Sequence, residues 1–200
     1  MPTRPGASPP PANPWRTRSS RPVYDNPWIS VREDEVVRAD GSPGIYGVVS
    51  MAAAVGVVAL TEDDEVVLVG QWRYALDEYS WELPEGGADA GESPQAAAAR
   101  ELAEEAGYAA RDWSELVGDL AVSNSVTDQR SWLFLARGLE PVPVAPDPTE
   151  ALEIASVPVA EALEMIDTGL ITDALTVIGL LTLDRRRRGG AGDATAATTK

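Results

Sequence analysis

The chain has 200 residues, enough for one domain of ordinary size with a real core plus tails. It carries 32 Asp+Glu against 16 Lys+Arg, a formal net charge of -16, which disfavours bare nucleic acid and anionic membrane surfaces as partners. Cys and His are both absent, which excludes disulfides, zinc–thiolate sites, cysteine nucleophiles and histidine-based triads, so any catalysis must run on carboxylates, hydroxyls, Lys/Arg, backbone groups and bound metal.

In chain order, residues 1–20 read as a disordered leader, rich in Pro and Arg and lacking the apolar stretch of a secretory signal. Residues 28–37, "WISVREDEVV", alternate apolar and polar as a half-buried strand does. "GIYGVVSM" and "AAAVGVVAL" follow as strands, and after the acidic turn "TEDDE" comes "EVVLVGQWRY". The last two are continuous apolar runs, the pattern of strands covered on both faces. The best helix is "SPQAAAARELAEEA", capped by Ser93, started by Pro94 and stopped by Gly107. Strands are expected again at "SELVGDLAVS", "SWLFLARGL" and "LEIASVPV", then helices at "AEALEMIDTG" and "DALTVIGLLTLDRR". Residues 185–200, four arginines followed by small residues, read as a disordered tail. Strands, helix, strands and helices in that order predict an α+β or mixed-sheet α/β domain. No run approaches the ~18 apolar residues of a transmembrane helix, and the protein reads as cytoplasmic.

The helix poses a problem of charge. Glu101, Glu104 and Glu105 fall at i, i+3 and i+4, on one face, while Ala98 and Leu102 point elsewhere. Neighbouring like charges cost roughly 0.2–0.5 kcal/mol per pair, and acids near a helix C-terminus oppose the dipole. A solvated charged face is one reading, but no Lys at i+4 relieves it. A hard divalent cation such as Mg2+, which bridges carboxylates to phosphates, removes the conflict.

Gly86, five residues, Glu92, seven residues, then Arg100-Glu101-Leu102-Ala103-Glu104-Glu105-Ala106-Gly107-Tyr108 resembles the Nudix hydrolase signature at every fixed position. Tyr108 stands where an aliphatic residue is usual. Upstream, "QWRYALDEYSWELPEGG" resembles the ADP-ribose and nucleotide-sugar pyrophosphatase branch at Gln71, Trp72, Arg73, Trp81, Glu82, Leu83, Pro84 and Gly86, with Glu85 in place of the usual Ala. Downstream, Gly169, Ile171, Asp173, Ala174 and Thr176 resemble the branch's C-terminal run. The Pro that many ADP-ribose members carry about fifteen residues beyond the box is replaced here by "SNSV".

The resemblance implies an α/β/α sandwich around a mixed β-sheet, with residues 21–50 as an N-terminal antiparallel sheet used in dimerisation and residues 51–184 as the hydrolase domain. It implies divalent-metal-dependent cleavage of the pyrophosphate of a nucleoside diphosphate sugar, with ADP-ribose, cut to AMP and ribose 5-phosphate, as first candidate. Mg2+ or Mn2+ would be held by Glu101, Glu104, Glu105, the backbone carbonyl of Glu85, and Glu150, with Asp147 and Glu153 behind Glu150. Glu104, Glu105 and Glu150 would take part in catalysis. Arg73, Glu82 and Trp28 would bind substrate, Trp28 or Tyr46 by reaching the base across a homodimer. Gly86, Glu92, Arg100 and Gly107 would be structural, Arg100 by pairing with acids of the box. Trp72, Tyr79 and Trp81 read as core or loop packing. The rival functions are a house-cleaning nucleoside triphosphate pyrophosphatase and a non-catalytic Nudix-like nucleotide-binding module; the second generally loses box glutamates, and none is lost here.

Overall fold

The computed structural model of the chain describes residues 12–144 and 151–196, with side chains through residue 189. The described residues fall into two compact units: 12–51 with 125–128, and 52–124 with 129–144 and 151–196.

The first unit is an antiparallel sheet of β1 (Arg16–Asp25), β2 (Ile29–Val37) and β3 (Pro43–Met51), in that order. The β1–β2 turn is closed by Asn26, whose Oδ1 accepts from the N–H groups of Trp28 and Ile29, both at 2.8 Å. β1 begins inside the stretch expected as a disordered leader, and this corrects that boundary. "RTRSSRPVYD" has no apolar period to announce a strand, and every one of its residues is exposed. Backbone pairing with β2 makes it a strand, helped by Arg21–Glu33 at 2.7 Å and a hydrogen bond from Ser20 Oγ to Asp34.

The second unit contains β4 (Ala54–Ala59), β5 (Glu65–Arg73), β6 (Glu78–Glu82), β7 (Glu85–Gly87), α1 (Pro94–Ala106), β8 (Tyr108–Leu120), β9 (Ser131–Pro141), β10 (Glu153–Pro158), α2 (Val159–Asp167) and α3 (Ala174–Ala196). One sheet has the order β7-β4-β9-β8 and is mixed, because β4 and β9 run parallel while the other pairs are antiparallel. The other, β10-β5-β6, is antiparallel. Alternation along β4 and β5 explains their unbroken apolar runs. Val55, Val57, Val67 and Val69 pack in the cluster that holds Ala97, Ala98 and Leu102 of α1. Val58, Val66 and Leu68 pack in the cluster that holds Ala162 of α2 and Leu180 and Leu183 of α3. Helices thus cover both faces, the expected α/β/α sandwich.

Four elements of this unit depart from expectation. β6 and β7 were not anticipated, being too short to carry a period. β8 starts at Tyr108, directly after the helix stop and six residues before the expected strand. α3 runs to Ala196, through most of the expected tail, because its arginines are anchored: Arg187 pairs with Asp64 at 2.9 Å, Arg186 Nη2 donates to the Leu116 carbonyl at 2.7 Å, and Arg188 pairs with Asp184 at 2.8 Å. Among the described residues, no helix is long and apolar enough to cross a membrane.

Candidate active site

α1 is set at both ends as its sequence predicts. Ser93 Oγ accepts from the Ala96 N–H at 3.2 Å, and Gly107, at φ 70°, closes the helix in the left-handed conformation with its N–H on the Ala103 carbonyl. Ala97, Ala98 and Leu102 are fully buried, which turns the glutamate stripe away from the core. The stripe is not a solvated face. Glu101 and Glu105 are buried, and only Glu104 keeps substantial side-chain exposure.

Arg100 organises this acidic surface. Its Nη1 donates to Glu101 at 2.8 Å and to Glu104 at 3.1 Å; its Nη2 donates to Glu92 at 3.0 Å and to the Gly87 carbonyl at 2.8 Å. The Glu92 bond, then the Glu101 bond and charge, raise the affinity of the guanidinium for its proton against the cost of burial. Reciprocally, Arg100 and the Asp89 N–H hold the Glu92 carboxyl below its ordinary value. Gly86 is needed for space: a Cβ there would fall on the Glu101 carboxylate.

The loop before α1 meets the helix at Glu105, whose Oε2 accepts the Glu85 N–H at 2.9 Å. The flanking bonds to β4 are Val57 N–H to the Pro84 carbonyl at 2.9 Å and Ala88 N–H to the Ala53 carbonyl at 2.8 Å. In an antiparallel ladder this alternation turns the backbone N–H and C=O of Glu85 away from β4. Its side chain has one oxygen, Oε1, 3.3 Å from Arg73 Nη2, while Oε2 is buried with no hydrogen-bond partner. Burial first, then the Asp173 and Glu82 charges, push the Glu85 carboxyl well above its ordinary value.

Arg73 and Glu82, both expected at the substrate, grip each other: Arg73 Nε lies 2.9 and 3.1 Å from the two Glu82 oxygens, and Nη2 bonds Glu82 as well. Gly86, Glu92, Arg100, Glu101, Glu104, Glu105 and the Glu85 backbone are therefore one connected site, with Arg73 and Glu82 joined to it through the Glu85 side chain. Trp28, 77% exposed, belongs to the first unit. Glu150 and Asp147 lie outside the described residues, and Glu153 accepts from the Tyr79 hydroxyl at 2.9 Å. Trp72 departs from its expected packing role, being 60% exposed, and Tyr79 is exposed as well, edge-to-face with the half-buried Trp81.

Two residues that matched the family run without a role now have contacts here. Thr176 Oγ1 accepts the Leu83 N–H at 2.9 Å, and the Thr176 N–H donates to Asp173 Oδ2 at 2.7 Å. An Asp three residues before a Thr at the start of a helix is a readable capping signal, but its link to Leu83 is not local.

The donors gathered here are carboxylate and carbonyl oxygens, the set that hard divalent cations prefer over softer metals. Among the described residues no three acids stand close enough together to form a finished cage. The buried, unpartnered Glu85 Oε2 and the surplus of carboxylates over arginines nevertheless fit a cation.

Helix, loop and covering layers together define a class. Residues 51–175, well over half of the chain, match the NUDIX domain, and the chain belongs to that family of hydrolases, which work with divalent metal ions. Residues 15–49 match the nucleoside diphosphate sugar hydrolase N-terminal domain, so the chain is a pyrophosphohydrolase of the nucleotide-sugar branch. It is 33% identical over 170 residues to the ADP-ribose pyrophosphatase of Mycobacterium tuberculosis, covering 84% of this chain and 82% of that one. It is 29% identical to the methanol dehydrogenase activator of Bacillus methanolicus, over 82% of this chain and 90% of the relative. A solved structure of an ADP compounds hydrolase superposes with a TM-score of 0.78 at 23% identity, over 88% of this chain and 95% of the other, a likeness of fold.

Proposed function

We propose that this Nudix hydrolase cleaves ADP-ribose to AMP and ribose 5-phosphate with Mg2+ or Mn2+, in the cytoplasm and as a homodimer joined through the β1–β3 sheet. The observation that carries the reading is the box itself: Arg100 holds Glu101, Glu104 and Glu92 together while Glu105 takes the Glu85 N–H, so the acids are fixed before any ligand arrives. The similarity to the Mycobacterium tuberculosis enzyme supports the choice of ADP-ribose. The exposed Val23, Tyr24 and Ile45 of the N-terminal sheet support dimerisation, and a Cys-free acidic chain suits the cytoplasm.

Glu101, Glu104, Glu105, the Glu85 carbonyl and Glu150 would hold the cation. When bound, it neutralises phosphate charge and lowers the pKa of water. Glu104, Glu105 or Glu150 takes the proton of the attacking water as its oxygen bonds to phosphorus and the bridging P–O bond breaks. Arg73 is gripped by Glu82 through Nε and Nη2, which leaves Nη1 to face a phosphate. Trp28, with its ring exposed, would reach the base across the homodimer.

The test is AMP or GMP release from ADP-ribose, ADP-glucose, GDP-mannose, NADH and nucleoside triphosphates, with Mg2+, Mn2+ or EDTA. Metal-dependent cleavage of ADP-ribose above the rest is the expected result. Cleavage of triphosphates alone overturns the substrate class, and tight binding without turnover overturns catalysis.

A further inference from the structure

The start of α3 touches the loop that carries Glu85 at two separate points on one residue, Leu83. Thr176 Oγ1 accepts the Leu83 N–H at 2.9 Å, a bond in a fully buried setting between residues 93 apart in sequence. One turn further along α3, Gly179 faces the Leu83 side chain so closely that a Cβ at 179 would stand 3.0 Å from Leu83 Cδ1 and 3.1 Å from Val58 Cγ2. Thr176 itself is pinned, because its N–H donates to Asp173 Oδ2 at 2.7 Å. Two residues beyond Leu83, the Glu85 N–H meets Glu105 at 2.9 Å, and between them the Pro84 carbonyl is held by Val57 at 2.9 Å. The chain from Leu83 to Glu85 is thus clamped from α3 at one end and from α1 at the other.

We infer that Thr176, set by Asp173 and seconded by Gly179, is a positioning residue for the reaction: α3 fixes Leu83 so that the backbone of Glu85 meets Glu105. The inference rests on the reading of Glu85 and Glu105 as cation-holding groups. The physical reason lies in reach. The bonds at Pro84 and Ala88 lay the segment along β4, and the Thr176 bond at Leu83 adds a fixed point two residues from Glu85 that limits its tilt about the Glu105 contact. Thr176 touches no reacting atom, so its removal should loosen the site without emptying it.

The experiment compares Thr176→Val, which keeps the shape and removes the acceptor, with Thr176→Ser, which restores a hydroxyl. Amide hydrogen exchange of the 82–87 segment is read together with Mn2+ affinity, kcat and KM. Outer-shell changes at metal sites cost about tenfold to a hundredfold. Thr176→Val is accordingly expected to exchange faster at the Glu85 amide, bind Mn2+ about tenfold more weakly and lose kcat with KM little changed, while Thr176→Ser stays near the parent. A folded Thr176→Val protein with parental exchange at Glu85 and parental kcat overturns the inference. Should Thr176→Val not fold, Gly179→Ala supplies the milder displacement of the same residue, with the same readings in the same direction, and parental values there overturn it equally. If the parent binds no Mn2+, the cation-holding reading fails by itself, and the exchange data still decide whether α3 positions Glu85.

Discussion

The two units are held together by different physics. In the catalytic unit, β4 and β5 are buried on both faces, and two apolar layers enclose Leu68, Leu133, Leu180 and Leu102. In the N-terminal unit, the only buried residues among those described are Asp34, Val36 and Val37, while Trp15, Val23, Tyr24, Trp28, Ile45 and Met51 are exposed. Its cohesion is a backbone ladder with side-chain links: Arg21–Glu33, Ser20–Asp34, the Tyr46 hydroxyl on the Ser125 carbonyl at 2.6 Å, and Trp15 edge-to-face with Tyr46 at 5.7 Å. A three-stranded sheet with so little buried apolar surface is marginal. The comparison teaches that the hydrolase unit buries the apolar surface that drives its folding, whereas the N-terminal sheet leaves most of its large apolar side chains exposed.

The sharpest separation of chemistry from stability should come from Glu105→Gln. The amide oxygen can still accept the Glu85 N–H, so the melting curve should hold while turnover falls on the order of a hundredfold to a thousandfold. Near-parental turnover would break the assignment. Next in size is a core cavity. Leu133→Ala should cost about 2–5 kcal/mol in urea unfolding, whereas Ile45→Ala in the N-terminal sheet should stay within about 0.5 kcal/mol. Equal costs would break the contrast between the units. Gly107→Ala forces a left-handed side chain toward the Val142 carbonyl and Val144 and should cost about 1–2 kcal/mol, read as a lower melting temperature.

The smallest effects concern acid. The Ser20 hydroxyl, with help from Arg32, holds Asp34 below its ordinary 3.8, and Arg100 holds Glu92 below its ordinary 4.5. A depressed carboxyl contributes fully above its unfolded value and loses that contribution as pH falls through its folded one. Ser20→Ala should therefore flatten the stability loss of the N-terminal sheet below pH 3.8, and Glu92→Gln that of the hydrolase unit below pH 4.5. Melting temperatures across pH 2–7, followed by tryptophan fluorescence, check both. Unchanged acid slopes would mean that neither link survives in solution.

Much of the site was legible because it is local. The spacing from Gly86 to Gly107 lies on one loop and one helix, where Ser93 and Gly107 set the ends and 100° per residue sets the faces. The expectation of cover on both sides followed from the unbroken apolar runs of β4 and β5, and that of a mixed sheet from the order of elements and the family resemblance. The leader boundary failed because β1 has no apolar alternation, and the tail boundary because four arginines give no hint that Asp64, Leu116 and Asp184 would hold three of them. Trp72 read as packed because aromatics usually are, yet its place on the hairpin leaves the ring in solvent.

The sequence by itself determined α1, its caps and the stripe of Glu101, Glu104 and Glu105, since helix periodicity and terminal hydrogen bonds depend on residues no more than four apart. It also determined that an all-oxygen site is available, since no Cys or His exists to offer anything softer. Only the tertiary structure decided that Arg100 reaches back to Glu92 and the Gly87 carbonyl, that Arg73 is taken by Glu82, that Glu85 buries an unpartnered oxygen, and that Thr176 holds Leu83 from 93 residues away. Such pairings arise when packing brings distant segments together and leaves each buried polar group to the partner within reach.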